Sequence, residues 1–157
     1  MKHVKKSVLL WYSASEMQRL VTAIPDYPTF LPWCERAEVL AEDAEGMTAR
    51  LHLNYLGVRH AFTTRNRHEG QDGADLTVTV SLVDGPFSQL DGVWRFTPLA
   101  APGAPGQPST ACRIDFDLRY AFSGRALEVI VSPVFDRIAD TLVDAFVKRA
   151  EQVYGPR

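Results

Sequence analysis

The chain has 157 residues, 46% hydrophobic and 23% charged, with 17 basic against 19 acidic side chains and a formal net charge of -2. A chain of this length reads as a single domain, residues 1–157, that buries roughly 68–70% of its unfolded surface and needs no disulfide or metal staple. The charge balance lacks the basic excess of a non-specific nucleic-acid binder, so no DNA partner is expected; Cys34 and Cys112 have no ligand or redox spacing, as in a reduced cytoplasmic protein.

Residues 1–11 read as a strand. Their apolar run, Val8 to Tyr12, is five residues long, against roughly 7–15 for a secretory leader, and no stretch reaches the ~20 apolar residues of a membrane span. Ser13 with Glu16 three residues on forms a capping box, which predicts a short helix ending near Ile24. Pro25 and Pro28 prevent its continuation. The following stretch, DYPTFLPWCE (26–35), gathers two prolines, three aromatics and a cysteine. The prolines hold Tyr27, Phe30 and Trp33 in a turn at little further entropic cost. Such a turn serves either as a lid over one end of the interior or as plain aromatic closure of the core.

After Trp33 the period changes to two. Leu51, Leu53 and Tyr55 alternate with Arg50, His52 and Asn54; His60, Phe62 and Thr64 alternate with Arg59, Ala61, Thr63 and Arg65. Leu76, Val78, Val80 and Leu82, and later Cys112 to Tyr120 in steps of two, repeat the pattern. These are antiparallel strands with one face buried and one wet, punctuated by turns at Gly57, Gly70, Gly73 and Gly85. Residues 98–109, PLAAPGAPGQPS, carry four prolines and two glycines, and read as a flexible hairpin loop that cannot pair as a strand. Phe135, Ile138, Ala139, Leu142, Val143, Phe146, Ala150, Val153 and Tyr154 then mark one stripe of a long amphipathic helix, stopped by Gly155 and Pro156. Ser132 and Pro133 are either its first turn or a kink in a helix that begins near Arg125.

A strand, a short helix, about six further strands and a long helix make an α+β layout. A sheet of six or seven strands is roughly 29–34 Å wide at ~4.8 Å per strand. A helix from Pro133 to Tyr154 is also about 33 Å long but only ~10–12 Å across, so it covers a strip of the sheet. The apolar face left over must meet a second protomer, the N-terminal elements or a ligand.

The stretches YSASEMQRLVTAIPDYPTFLPWC (12–34), FTTRN (62–66), LVDGPFSQLDGVWRFTPL (82–99) and PVFDRIADTLVDAFVKRAEQVYG (133–155) give the chain a strong, nearly full-length resemblance to the START-like (helix-grip, Bet v-like) superfamily. More narrowly, it resembles the group that holds the coenzyme Q-binding START-domain proteins and the ribosome association toxins, with older descriptions as oligoketide cyclase or lipid transport. The proline-rich 98–109 segment is longer than the short hairpin expected there. The resemblance implies a curved antiparallel sheet around a long C-terminal helix, with a hydrophobic cavity between them. In the first branch that cavity takes a polyprenyl quinone (ubiquinone) or similar lipid, in support of respiration; in the second the role is to block ribosomal subunit association. A cyclase enzyme is the third implied activity.

No nucleophile elbow, phosphate loop or zinc spacing is present, so neither a catalytic residue nor a metal is expected, and no cofactor beyond the bound quinone or lipid itself. Of His52, His60 and His68, His60 is read as the one in phase with Phe62 on the inner face. Glu35 and Glu38, near the aromatic turn, are either solvated surface carboxylates or the acid and base of a cyclase. Gly92 within DGPFSQLDGVW (84–94) predicts a bulge or a close backbone approach. Arg65, Arg67 and Arg95 fall on the outer face, where they are either ordinary solvated charges or contacts for RNA. The residues expected to line a ligand site are Phe30, Trp33, Phe62, Val80, Leu82, Phe87, Trp94, Phe96, Val134 and Ile138. Burial of ~0.8 kcal/mol per methylene holds a long apolar tail without any catalytic group. The expected partners are thus a hydrophobic small molecule or the large ribosomal subunit, with transient peripheral contact at an inner membrane. The Trp33 and Phe87 surfaces would equally serve a homodimer.

Overall fold

The capping box forms as read: Ser13 Oγ accepts from the Glu16 backbone at 3.1 Å while Glu16 Oε1 accepts from Ser13 N at 2.9 Å. In the computed structural model, which describes residues 1–71, 73–99 and 110–157, this box opens helix α1 (Ala14–Thr22) directly after strand β1 (Lys2–Leu10). Pro25 and Pro28 are absorbed in a 3-10 helix, Ile24–Thr29, instead of ending all helical structure. Six strands follow: β2 (Cys34–Asp43), β3 (Gly46–Tyr55), β4 (Val58–Glu69), β5 (Leu76–Asp84), β6 (Phe87–Pro98) and β7 (Cys112–Phe122). Helix α2 (Arg125–Tyr154) closes the fold.

The seven strands form one antiparallel sheet in the order β1-β7-β6-β5-β4-β3-β2, a meander from β2 to β7 with β1 added at the far edge. Period-two alternation puts Leu51, Phe62, Val80 and Leu118 on the face toward α2. The opposite face carries ion pairs, Arg65 with Asp43 at 2.9 Å and Arg59 with Glu35 at 3.0 Å, and a hydrogen bond between His52 Nε2 and Glu38 Oε1 at 2.6 Å. This is the α+β helix-grip arrangement.

Helix α2 begins at Arg125, about two turns before Pro133, so its 30 residues span about 45 Å rather than the shorter rod a Pro133 start would give. Gly124 supplies the φ of 95° that turns the chain into it. Pro133 offers no N–H to the Val129 carbonyl, and a polar cluster ties the helix to the sheet at this level. Lys2 bonds Ser132 Oγ at 2.5 Å and Asp136, while Tyr120 donates to Asp136 Oδ1 at 2.5 Å. At the other end, Tyr12 donates to the Gly155 carbonyl at 2.7 Å and Tyr154 to the Glu16 carbonyl at 3.0 Å. Val153, although in the apolar stripe, is exposed beyond the sheet.

Three local readings change. Pro98 does pair in a strand, opposite Cys112, and Leu99 N donates to Ala111 O at 3.1 Å; the rest of the expected 98–109 loop lies outside the described residues. Gly92 sits in a regular ladder between Val80 and Leu118, and the bulge of β6 falls between Phe87 and Gln89. Trp33 and Phe87 are 7% and 5% exposed, folded into the chain's own core, so they offer no homodimer surface.

Candidate functional site

Between α2 and the inner face of β3 to β7 lies a cavity of about 90 Å³. It is several times the ~10–15 Å³ that one water requires. Ala49 and Leu51 on β3, Phe62 on β4 and Val80 on β5 form one wall. Gly92 and Trp94 on β6 with Phe116 and Leu118 on β7 form the floor, and Phe135, Ile138, Leu142 and Phe146 on α2 form the roof. Ile24 and Tyr27 from the 3-10 helix join the lining. The missing side chain at Gly92 is part of the free space: glycine here opens the floor rather than bending the strand.

Aromatic packing consumes most of the interior that the sequence suggested would be left over. The Phe135 ring lies 4.9 Å from Phe87, 4.8 Å from Tyr120 and 6.1 Å from Phe62. Trp94 lies 4.3 Å from Phe116 and 5.4 Å from Phe146. The large expected surplus is therefore corrected to a small cavity, because α1, the 3-10 helix and a longer α2 share the covering.

Of the ten residues expected to line a site, Trp33, Phe62, Val80, Trp94 and Ile138 reach the cavity wall. Phe30 lies outside it, edge-on to Tyr27 and Phe146 and under the Arg149 guanidinium at 5.0 Å. Phe87 belongs to the ring cluster around Phe135, Phe96 is fully buried beside Trp94, and Val134 and the half-buried Leu82 pack into the core away from the cavity. Trp33 and Ile138 also border a surface groove of about 300 Å³ with Phe30, Tyr55, Arg137 and Lys148. These two side chains thus lie between the cavity and the groove. Of the two readings of the aromatic turn, core closure is met by buried Tyr27, while Trp33 borders both the cavity and the groove.

Two non-aromatic polar side chains enter the wall, Thr64 and Asn66, neither of which the sequence reading singled out. They lie two and four residues beyond Phe62 on the same face of β4, and Thr64 Oγ1 donates to Asn66 Oδ1 at 2.8 Å. Alternation also carries His68 inward, so His60 is not the only histidine in that phase. Burial holds the His68 imidazole below its ordinary pKa, and its Nε2 is the one sealed side-chain polar atom without a partner among the described residues. Neither His60 nor Glu35 nor Glu38 reaches the cavity: the carboxylates bond Arg59 and His52 on the outer face. Tyr27, pushed by burial far above the ordinary phenol range, is a neutral donor to the Val21 carbonyl. Cys34 and Cys112 are buried free thiols, both raised by desolvation to about 11.

Comparison with known proteins agrees with this architecture. Residues 10–147 match the family described as polyketide cyclase / dehydrase and lipid transport. The ribosome association toxin RatA of Escherichia coli K12 is 36% identical over 157 residues, spanning 100% of this chain and 92% of that protein. The mitochondrial coenzyme Q-binding protein COQ10 homolog B of Xenopus laevis is 29% identical over 155 residues, 96% of this chain and 58% of that one. Among solved structures, the Zhui aromatase/cyclase from Streptomyces sp. R1128 superposes with a TM-score of 0.76 at 16% identity, covering 96% of this chain and 94% of that chain. At that identity the likeness shows the fold alone. With the helix-grip cavity in place, the chain belongs to the polyketide cyclase / dehydrase and lipid transport family.

Proposed function

We propose that the protein binds one long apolar molecule of the polyprenyl quinone class between the sheet and α2, without transforming it. The observation that carries this reading is the cavity whose non-aromatic lining is apolar except for the Thr64 and Asn66 pair. A pocket of mostly hydrophobic lining with a few placed polar groups suits a ligand with a greasy body and a small polar head. The cavity as it stands admits only part of such a molecule, so entry requires Trp33 and Ile138 to part toward the groove outside. The kinship with a protein named as coenzyme Q-binding supports the same ligand class. Native mass spectrometry of the purified chain tests it. A retained apolar molecule at one per chain is expected, and a bare chain that also fails to take up a short-chain quinone would overturn the proposal.

A second reading has its own support. Arg67 and Arg95 are exposed beside Thr79 and Thr77 on the outer face of the sheet, and carry no ion pair among the described residues. Together with the kinship to a ribosome association toxin, they support binding to the large ribosomal subunit that blocks subunit association. Sucrose-gradient profiles after overexpression decide this: loss of 70S particles supports it, and unchanged profiles exclude it.

A further inference from the structure

Thr64 and Asn66 have no packing reason to be polar. Their cross-strand neighbours are Ala49 and Met47 on β3 and Leu82 and Val80 on β5, among which aliphatic side chains would serve the core. Both are deeply buried, Thr64 to 4% and Asn66 to 7% exposure. The hydroxyl of Thr64 satisfies the Asn66 carbonyl and thereby fixes the orientation of the amide. Asparagine brings two further donors on Nδ2. Among the described residues nothing accepts from them, Nδ2 is not a sealed atom, and Asn66 lines the cavity. An unpaired amide donor beside apolar walls costs free energy unless something in the cavity accepts from it.

Its position along the sheet sets a direction. Asn66 is opposite Met47 and Thr64 opposite Ala49, whereas the Trp33 carbonyl accepts from Asn54 N at the other end of β3. Five to seven residues of strand separate these levels, about 17–24 Å at ~3.4 Å per residue. Along β3, the polar pair therefore sits at the opposite strand level from the Trp33 backbone. The wall carries no cationic or anionic side chain among the described residues, so a carboxylate or phosphate head finds no counter-charge.

Resting on the reading of the cavity as a ligand site, we propose that the Asn66 amide, held by Thr64, recognises an uncharged carbonyl or ether oxygen on the ligand's head ring. The ligand enters head first, with its hydrocarbon tail trailing toward Trp33. Asn66 is then the binding contact and Thr64 the residue that positions it. Two probes with the same tail, 2-decyl-1,4-benzoquinone and decylbenzene, separate head recognition from simple greasiness. In calorimetric titration of the full chain, Asn66→Leu is expected to weaken the quinone about 3- to 10-fold and leave decylbenzene equally or more tightly bound. Thr64→Val, nearly the same shape, moves the quinone the same way by a smaller factor and carries the test if Asn66→Leu does not fold. Loss of both probes by one common factor, or of neither, would overturn head recognition while leaving the cavity as an apolar site. Failure of the wild-type chain to bind either probe would overturn both.

Discussion

The cavity floor at Gly92 allows stability and binding to be moved in opposite directions by a single methyl group. A Cβ built there meets Leu118 Cδ1 at 3.2 Å, Val80 Cβ at 3.7 Å and Asp117 O at 3.8 Å. Only the first contact is tight, and it is with the free end of a side chain that itself borders the cavity and has room to turn. The backbone at Gly92 is not in the left-handed region, so alanine adopts it without strain. Gly92→Ala should therefore stabilise the fold by about 0.4–1 kcal/mol, through the reduced freedom of the unfolded chain. For a chain of this length that raises Tm by about 1–4 °C. The same methyl takes space from a cavity of about 90 Å³. If it displaces one methylene of a bound tail, ~0.8 kcal/mol of burial is lost and affinity for 2-decyl-1,4-benzoquinone falls about fourfold. Thermal unfolding with and without that quinone reads both effects. A lowered Tm would refute the contact geometry; a raised Tm with unchanged affinity would show that the ligand lies elsewhere.

Other substitutions probe the framework. Phe135→Ala, removing the ring at the centre of the aromatic cluster, should cost about 3–5 kcal/mol in urea unfolding. Ser13→Ala breaks one arm of the capping box and should cost about 1 kcal/mol by the same measurement. Burial pushes the Asp136 carboxyl up, but hydrogen bonds from Lys2 and Tyr120 outweigh it and hold the native pKa below the ordinary 3.8. Because the folded form binds its proton more weakly, the stabilisation is present in full above the unfolded value and lost as pH falls through the lowered native one. The stability gap between wild type and Asp136→Asn should accordingly be level from pH 7 to about pH 5 and shrink below about pH 4. Trp33→Ala removes a ring that lies between the cavity and the groove and should speed quinone release in stopped-flow displacement, with thermal unfolding confirming that the chain remains folded.

Local signals carried much of the fold. The capping box at Ser13, the alternations through Leu51, Phe62, Val80 and Phe116, and the α2 stripe each lie within one element, where period and caps suffice. Strand β2 carried no such signal. It is a largely exposed edge strand whose register shifts between Cys34 and Arg36 and between Val39 and Ala41, which breaks the alternation. The start of α2 was ambiguous because Pro133 is compatible with both a first turn and an interior position. Cavity lining is a property of distant elements, and alternation is blind to it. Trp94 and Phe96 share one face of β6, yet only Trp94 reaches the cavity, since α1 packs over the β5 and β6 strands where Gln18 bonds the Thr77 carbonyl. Asn66 stood in phase with Phe62 all along. A polar residue at an inward position carries no sign of its own until the neighbours show that it lines free space.

Calorimetric titration of the purified chain with 2-decyl-1,4-benzoquinone at three temperatures bears most directly on whether apolar surface is taken into the interior. Saturation at one molecule per chain with a negative heat-capacity change is expected, the signature of apolar burial. Absent saturation, or a heat-capacity change near zero, would contradict a ligand enclosed between the sheet and α2.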